Sequence, residues 1–124
     1  MRVITGTARG RVLKTLEGED VRPTTDRVKE AIFSIIQFEL DGRRVLDLFA
    51  GSGQLGIEAL SRGAAYATFT DMSAESVDIV KKNLISTKLE NRAEVIRTEA
   101  ITFLKGNRKK YDIVFMDPPY SKGI

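Results

Sequence analysis

Two short stretches of this chain combine residue types and spacings that can do chemistry. The first, Gly51-Ser52-Gly53-Gln54-Leu55-Gly56, has the spacing G-x-G-x-x-G, follows the apolar run Val45–Phe49, and is followed twenty residues after Gly51 by Asp71. Glycines let a turn close tightly and approach a ligand, and an acid at that distance can accept hydrogen bonds from ribose hydroxyls. The second, Asp117-Pro118-Pro119-Tyr120, ends another apolar run. An exocyclic amine on a nucleic-acid base is a weak nucleophile because its lone pair is delocalised into the ring. A carboxylate and a rigid carbonyl that both accept its N–H bonds would localise that pair and aim it at an electrophilic methyl group. Two prolines fix the backbone that carries the carbonyl, and a tyrosine offers a stacking face for an extruded base.

The residues that are absent narrow the field. With no cysteine and no histidine, thiolate zinc sites, cysteine nucleophiles, Ser-His-Asp triads and the histidine general base are excluded. Methyl transfer from a sulfonium cofactor needs none of these and no metal. A hydride-transferring dinucleotide domain would share the glycine spacing, but it requires a second mononucleotide half or a substrate domain. A chain of 124 residues has room for one domain.

The elements that must carry these stretches alternate between strand and helix. A basic hairpin over residues 2–15 and a helix over about 26–40, with Val28, Ile32, Ile35 and Ile36 as its apolar face, make an N-terminal extension (1–44). The core (45–124) then reads as strands at 45–49, 66–70, 93–97 and 113–116, separated by helices at 55–62, 74–87 and around 102–104. Strands this apolar with single helices between them predict an α/β, Rossmann-like, doubly wound parallel sheet covered on both faces. In such a sheet ligands bind beyond the carboxyl ends of the strands. The glycine turn, Asp71, Glu99 and Asp117 all fall at that edge.

Charge adds a partner class. The net charge is +3, and the cations cluster. Arg2, Arg9, Arg11 and Lys14 lie among the first sixteen residues, which contain no acid, and Lys105, Arg108, Lys109 and Lys110 lie late. Clustered cations suit a phosphate backbone, although the same pattern also makes a solvated face. No apolar stretch is long enough to span a bilayer and the opening residues do not read as a signal peptide, so a cytoplasmic protein without membrane partners is expected.

These motifs resemble the bacterial 16S ribosomal RNA guanine-N2 methyltransferases. The resemblance rests on Asp47-Leu48-Phe49-Ala50-Gly51-Ser52-Gly53, Glu58-Ala59-Leu60-Ser61-Arg62-Gly63-Ala64 and Asp117-Pro118-Pro119-Tyr120. Its most family-specific piece is Arg22-Pro23-Thr24-Thr25-Asp26-Arg27-Val28-Lys29-Glu30. It implies the class I S-adenosylmethionine fold and methyl transfer to N2 of a guanine in small-subunit ribosomal RNA, free or in an assembling subunit. By position, Asp47 and the turn Gly51, Ser52, Gly53 would line the methionine and ribose end of S-adenosylmethionine. Asp71 would hold the ribose hydroxyls, and Glu99 with Ala100 would sit at the adenine. Phe49, Met72 and Asp117 count among the cofactor contacts as well. Asp117, Pro118, Pro119 and Tyr120 would hold the base, and Arg22 and Thr24 would close over the cofactor. Arg2, Arg9, Arg11 and Lys14 would bind RNA.

This chain departs from the family pattern twice. The acids at Asp71 and Glu99 are exchanged relative to the usual Glu and Asp. The chain also ends four residues after the Asp-Pro-Pro-Tyr motif, where the family continues through strands five to seven in the order 3-2-1-4-5-7-6. A shortened chain would leave strand four as an open apolar edge, able to self-associate. The readings left open are an adenine-N6 methyltransferase, which needs the same Asp-Pro-Pro-aromatic apparatus, and a non-catalytic nucleic-acid- or cofactor-binding module. A dinucleotide-dependent oxidoreductase is the third.

Overall fold

Four apolar runs form four strands in the computed structural model, which describes residues 2–15 and 26–117. They are β1 (Arg44–Asp47), β2 (Tyr66–Asp71), β3 (Ala93–Arg97) and β4 (Ile113–Phe115). The sheet order is β3-β2-β1-β4, and every pairing is parallel. All four carboxyl ends therefore leave by one edge. Register aligns Val45 with Ala67 and Ile113, and Asp47 with Phe69 and Phe115.

The helices are α1 (Asp26–Ile36, prolonged by a 3-10 turn at Gln37–Glu39), α2 (Gln54–Ser61), α3 (Ala74–Ser86) and α4 (Ala100–Gly106). Ser73 starts α3 by accepting the Ser76 N–H on its hydroxyl. Gly53 starts α2 from a left-handed conformation, φ 85°, which glycine adopts without steric cost. Every residue of α2 is buried. Its Gly56 lies so close to Phe69 that a Cβ there would stand 2.3 Å from the ring. The third glycine of the motif thus permits helix and strand to touch.

One face of the sheet carries the main core. Val45, Ala67, Phe69 and Phe115 meet Ile57, Leu60, Val80 and Leu84. On the other face Leu46, Thr68, Glu94 and Val114 share a register, and the right-handed β3-α4-β4 crossover puts α4 there. Among the described residues α4 is the helix covering that face. Much of it is polar: Tyr111 Oη donates to Thr68 Oγ1, Thr68 Oγ1 donates to Glu94, and Lys109 pairs with Glu94 at 2.8 Å. Val114 remains about half exposed, and among the described residues β4 is an outer strand beside β1.

Two expectations need correction. The inward face of α1 is Lys29 and Phe33, with Ile32 and Ile36 packed at its margin, whereas Val28 is half exposed and Ile35 is 81% exposed. Apolar residues lie on more than one side of this helix, and the Phe33–Phe115 ring contact at 5.5 Å decides which side turns in. The N-terminal hairpin is a narrow loop closed by a single antiparallel bridge, Arg2 with Val12, and not a pair of strands. Its middle is held by α2 instead: Glu58 accepts the N–H groups of Ile4 and Thr5, and Ser61 Oγ accepts that of Ala8. Val3, Ala8 and Leu13 of this arm belong to the same apolar cluster as the sheet.

Candidate functional site

The carboxyl edge is built from three consecutive connections that lock one another. Gly51 donates its N–H to Asp71 Oδ2 at 3.0 Å, Ala50 N donates to Thr70 O, and Thr70 Oγ1 donates to Leu48 O at 2.6 Å. The turn after β1 is therefore fastened to the end of β2. On its other side Leu48 N donates to Phe115 O at 3.0 Å, which ties the same turn to β4 just before Asp117. The glycine turn and the start of the Asp-Pro-Pro-Tyr segment are neighbours.

Electrostatics report the same closeness. Asp47 is buried, and burial, opposed by the Gly56 N–H bond and reinforced by the charges of Asp71 and Asp117, pushes its carboxyl up to about 7. Asp71 and Asp117 thus lie near enough to Asp47 for their charges to act on it. Among the described residues no group of three or more acids is arranged to hold a metal ion.

Ser52 and Gly53 are buried in the turn, while Phe49 and Gly51 are partly exposed. Gly51 has φ 58° and open space where a side chain would stand. Asp71 also accepts the Ser73 N–H on Oδ1, so its carboxylate faces outward between the turn and α3, with Met72 exposed beside it. Thr98 N donates to Asp71 O, which brings Glu99, exposed at the start of α4, and the half-buried Ala100 to the same edge. Arg22, Thr24, Pro118, Pro119 and Tyr120 lie outside the described residues.

The four early cations, Arg2, Arg9, Arg11 and Lys14, are all exposed on the arm. The late cluster behaves differently. Lys109 pairs with Glu94 and lies 5.8 Å from the Tyr66 ring centre, at the amino ends of β2 and β3. That end is opposite the glycine turn, so Lys109 is not brought to the site.

Three polar residues to which the sequence assigned no role, Glu58 and Ser61 of the quoted motif and Asn83 outside it, do much of the positioning. Glu58, fully buried, lies 3.3 Å from the buried Lys29 ammonium and 2.9 Å from Arg62 Nε, besides holding the arm. Ser61 Oγ also donates to Thr5 O. Asn83, on α3, is bonded to both Lys14 and Ser52. Their one sequence signal is a polar residue at an inward helical position.

Sheet order, the glycine turn and the acids at the strand ends define the α/β Rossmann-like fold of class I methyltransferases, as in the solved Escherichia coli protein yhhF. That structure superimposes with a TM-score of 0.88 at 40% identity, over 100% of this chain and 66% of its own. The chain belongs to the family described as Conserved hypothetical protein 95, matched over residues 1–124. It is 47% identical to YlbH of Bacillus subtilis over 98% of this chain and 68% of that protein. It is 42% identical to Ribosomal RNA small subunit methyltransferase D of Escherichia coli, over 100% of this chain and 62% of that protein. The chain spans about two thirds of the length of these curated relatives. Among its described residues no helix is long and apolar enough to cross a membrane.

Proposed function

We propose that the chain is the cofactor-binding and base-positioning part of a cytoplasmic methyltransferase that transfers a methyl group from S-adenosylmethionine to N2 of a guanine in 16S ribosomal RNA. Residues 1–44 serve as its RNA- and cofactor-facing extension and residues 45–124 as its core. The observation that carries this reading is the junction of two turns: Gly51 and Asp71 on one side, Asp117 on the other, joined through Leu48 and Phe115. The relatives' names supply the substrate class.

The residues fit the cofactor. Gly51 leaves space where a ligand can approach, and Asp71 presents a carboxylate at the end of β2 suited to ribose hydroxyls. Asp47, Phe49, Gly51, Ser52 and Gly53 would line the methionine and ribose end, Asp71 and Met72 the ribose, and Glu99 and Ala100 the adenine. Arg22 and Thr24 would close over it. When bound, the cofactor supplies a methyl group on a sulfonium, an electrophile in need of a well-aimed lone pair.

The chain's own work is aiming. Asp117, together with the backbone after it, accepts the N–H bonds of the target amine, holds its lone pair in line, and keeps the ring in place against Tyr120. Pro118 and Pro119 fix the geometry. Catalysis then rests on orientation and on preorganised charge. Arg2, Arg9, Arg11 and Lys14 supply sequence-independent attraction to the RNA backbone.

Labelled methyl transfer to undermodified small-subunit RNA, compared with duplex DNA, tests the assignment. Transfer to a guanine N2 of the RNA is expected, and activity on DNA alone would overturn it. Asp117→Ala should lose turnover while keeping affinity for S-adenosylhomocysteine. A chain that binds NADH and not S-adenosylhomocysteine would belong to the oxidoreductase class instead.

A further inference from the structure

Asn83 lies on the inward face of α3 between Val80 and Leu84 and is 1% exposed. A buried carboxamide is costly unless its hydrogen bonds are made, and this one makes them to two distant segments. Its Nδ2 donates to Lys14 O and to Ser52 O, each at 2.9 Å, and its Oδ1 accepts the Lys14 N–H at 2.7 Å. Both polar groups of the Lys14 peptide backbone are thus gripped by one side chain, and that side chain also holds the carbonyl between Gly51 and Gly53.

The other anchors of the arm differ in kind. Glu58 and Ser61 fasten residues 4–8 to α2. Asn83 fastens the arm to the glycine turn itself. The cation-bearing arm and the glycine turn thus share one hydrogen-bonding side chain, so a shift of either alters the bonds available to the other.

We propose that Asn83 is a positioning residue that couples the basic arm to the glycine turn, so that RNA held by the arm and cofactor held by the turn strengthen each other's binding. The proposal rests on the methyltransferase reading above. Any such coupling is reciprocal: the factor by which one ligand tightens the other is the same in both directions.

The test measures binding, not turnover. Undermodified small-subunit RNA is titrated with and without saturating S-adenosylhomocysteine, and the reverse titration is run. The variants are the parent, Asn83→Ala, the near-isosteric Asn83→Asp, and Thr87→Val. Thr87 Oγ1 donates to Asn83 O and Leu84 O at the end of α3, so its loss loosens that helix without touching arm or turn. The parent should show a coupling factor of about fivefold or more. Asn83→Ala and Asn83→Asp, which both lack the two Nδ2 donors, should bring it close to one. Thr87→Val should keep it despite a lower melting temperature.

A second measurement needs no substitution. Saturating S-adenosylhomocysteine should slow hydrogen exchange at the Lys14 amide of the parent, and should do so more than at Ile4 and Thr5, which Glu58 holds. A coupling factor that survives in Asn83→Ala overturns the proposal. So does a factor lost equally in Thr87→Val, or an unchanged Lys14 exchange rate. If the parent binds each ligand without coupling, only this proposal fails; if it binds neither, the methyltransferase reading fails with it.

Discussion

Gly51 donates its backbone N–H to Asp71 across 3.0 Å, so the residue that ends β2 also fixes the shape of the turn that leaves β1. Its duty to the fold is visible in that bond, and the function proposed above gives it a second, to the cofactor's ribose. Asp71→Ala should therefore weaken S-adenosylhomocysteine binding by about 10- to 100-fold and lower the melting temperature as well, because the Gly51 amide loses its acceptor. Asp71→Asn keeps a carbonyl oxygen for one of the two amides and should do less on both counts. Calorimetric titration and thermal unfolding of the two variants separate the contributions.

Asp47 makes stability depend on pH in an unusual direction for an acid. Its carboxyl is raised from 3.8 to about 7 in the folded chain, mainly by burial, so between those values the folded state holds a proton that the unfolded state has released. The stabilisation from this group is fully present below about pH 4 and is lost as pH climbs through about 7. Asp47→Asn removes the dependence. Its unfolding free energy should gain on the parent between pH 5 and pH 8, by roughly 2.6 kcal/mol. A gain that is largest at low pH would contradict the assignment.

Glu58 and Lys29 form a fully buried ion pair at 3.3 Å. Removing one partner strands the other, and Glu58 also accepts two arm amides and the Arg62 guanidinium. Glu58→Ala should cost about 3–5 kcal/mol and expose residues 2–15 to protease. Lys29→Met should cost less, because Glu58 retains Arg62 and both amides. Urea unfolding of the pair gives the ordering, and the reverse order would show that Lys29 is the hub.

Neutralising Arg9 and Arg11 together should weaken RNA binding and reduce the slope of log affinity against log salt by roughly 1.4 to 1.8. Measuring the affinity at several salt concentrations gives that slope directly. An unchanged slope would remove these two side chains from the RNA surface.

Among the described residues β4 is an outer strand with Val114 about half exposed, and an edge of this kind invites pairing. Sedimentation of the chain should show association that grows with concentration, and Val114→Lys should shift it toward monomer. A strictly monomeric parent with a sharp, reversible unfolding transition would sink this expectation.

The strands, their parallel arrangement and the edge at which chemistry-bearing residues collect were legible in the sequence. Local signals carry all three: β-branched apolar runs, the glycine spacing, and acids placed at the run ends. The turn after Val45–Phe49 reads correctly because glycine's conformational freedom is written in its identity. Arg22, Thr24 and Pro118 to Tyr120, on which the resemblance leaned, fall outside the described residues, and their roles stand as proposals.

What the sequence alone determined was the set of local structures and the chemistry each could offer. Tertiary packing decided the rest. It turned Lys29 and Phe33 of α1 inward in place of Val28 and Ile35, because a buried carboxylate and the Phe115 ring were waiting there. It set Lys109 at the far edge against Glu94, and it put Asn83 between the arm and the glycine turn. Periodicity can mark which residues are apolar, but the partner of a buried charge or amide is chosen by elements distant in the chain, and only their meeting reveals it.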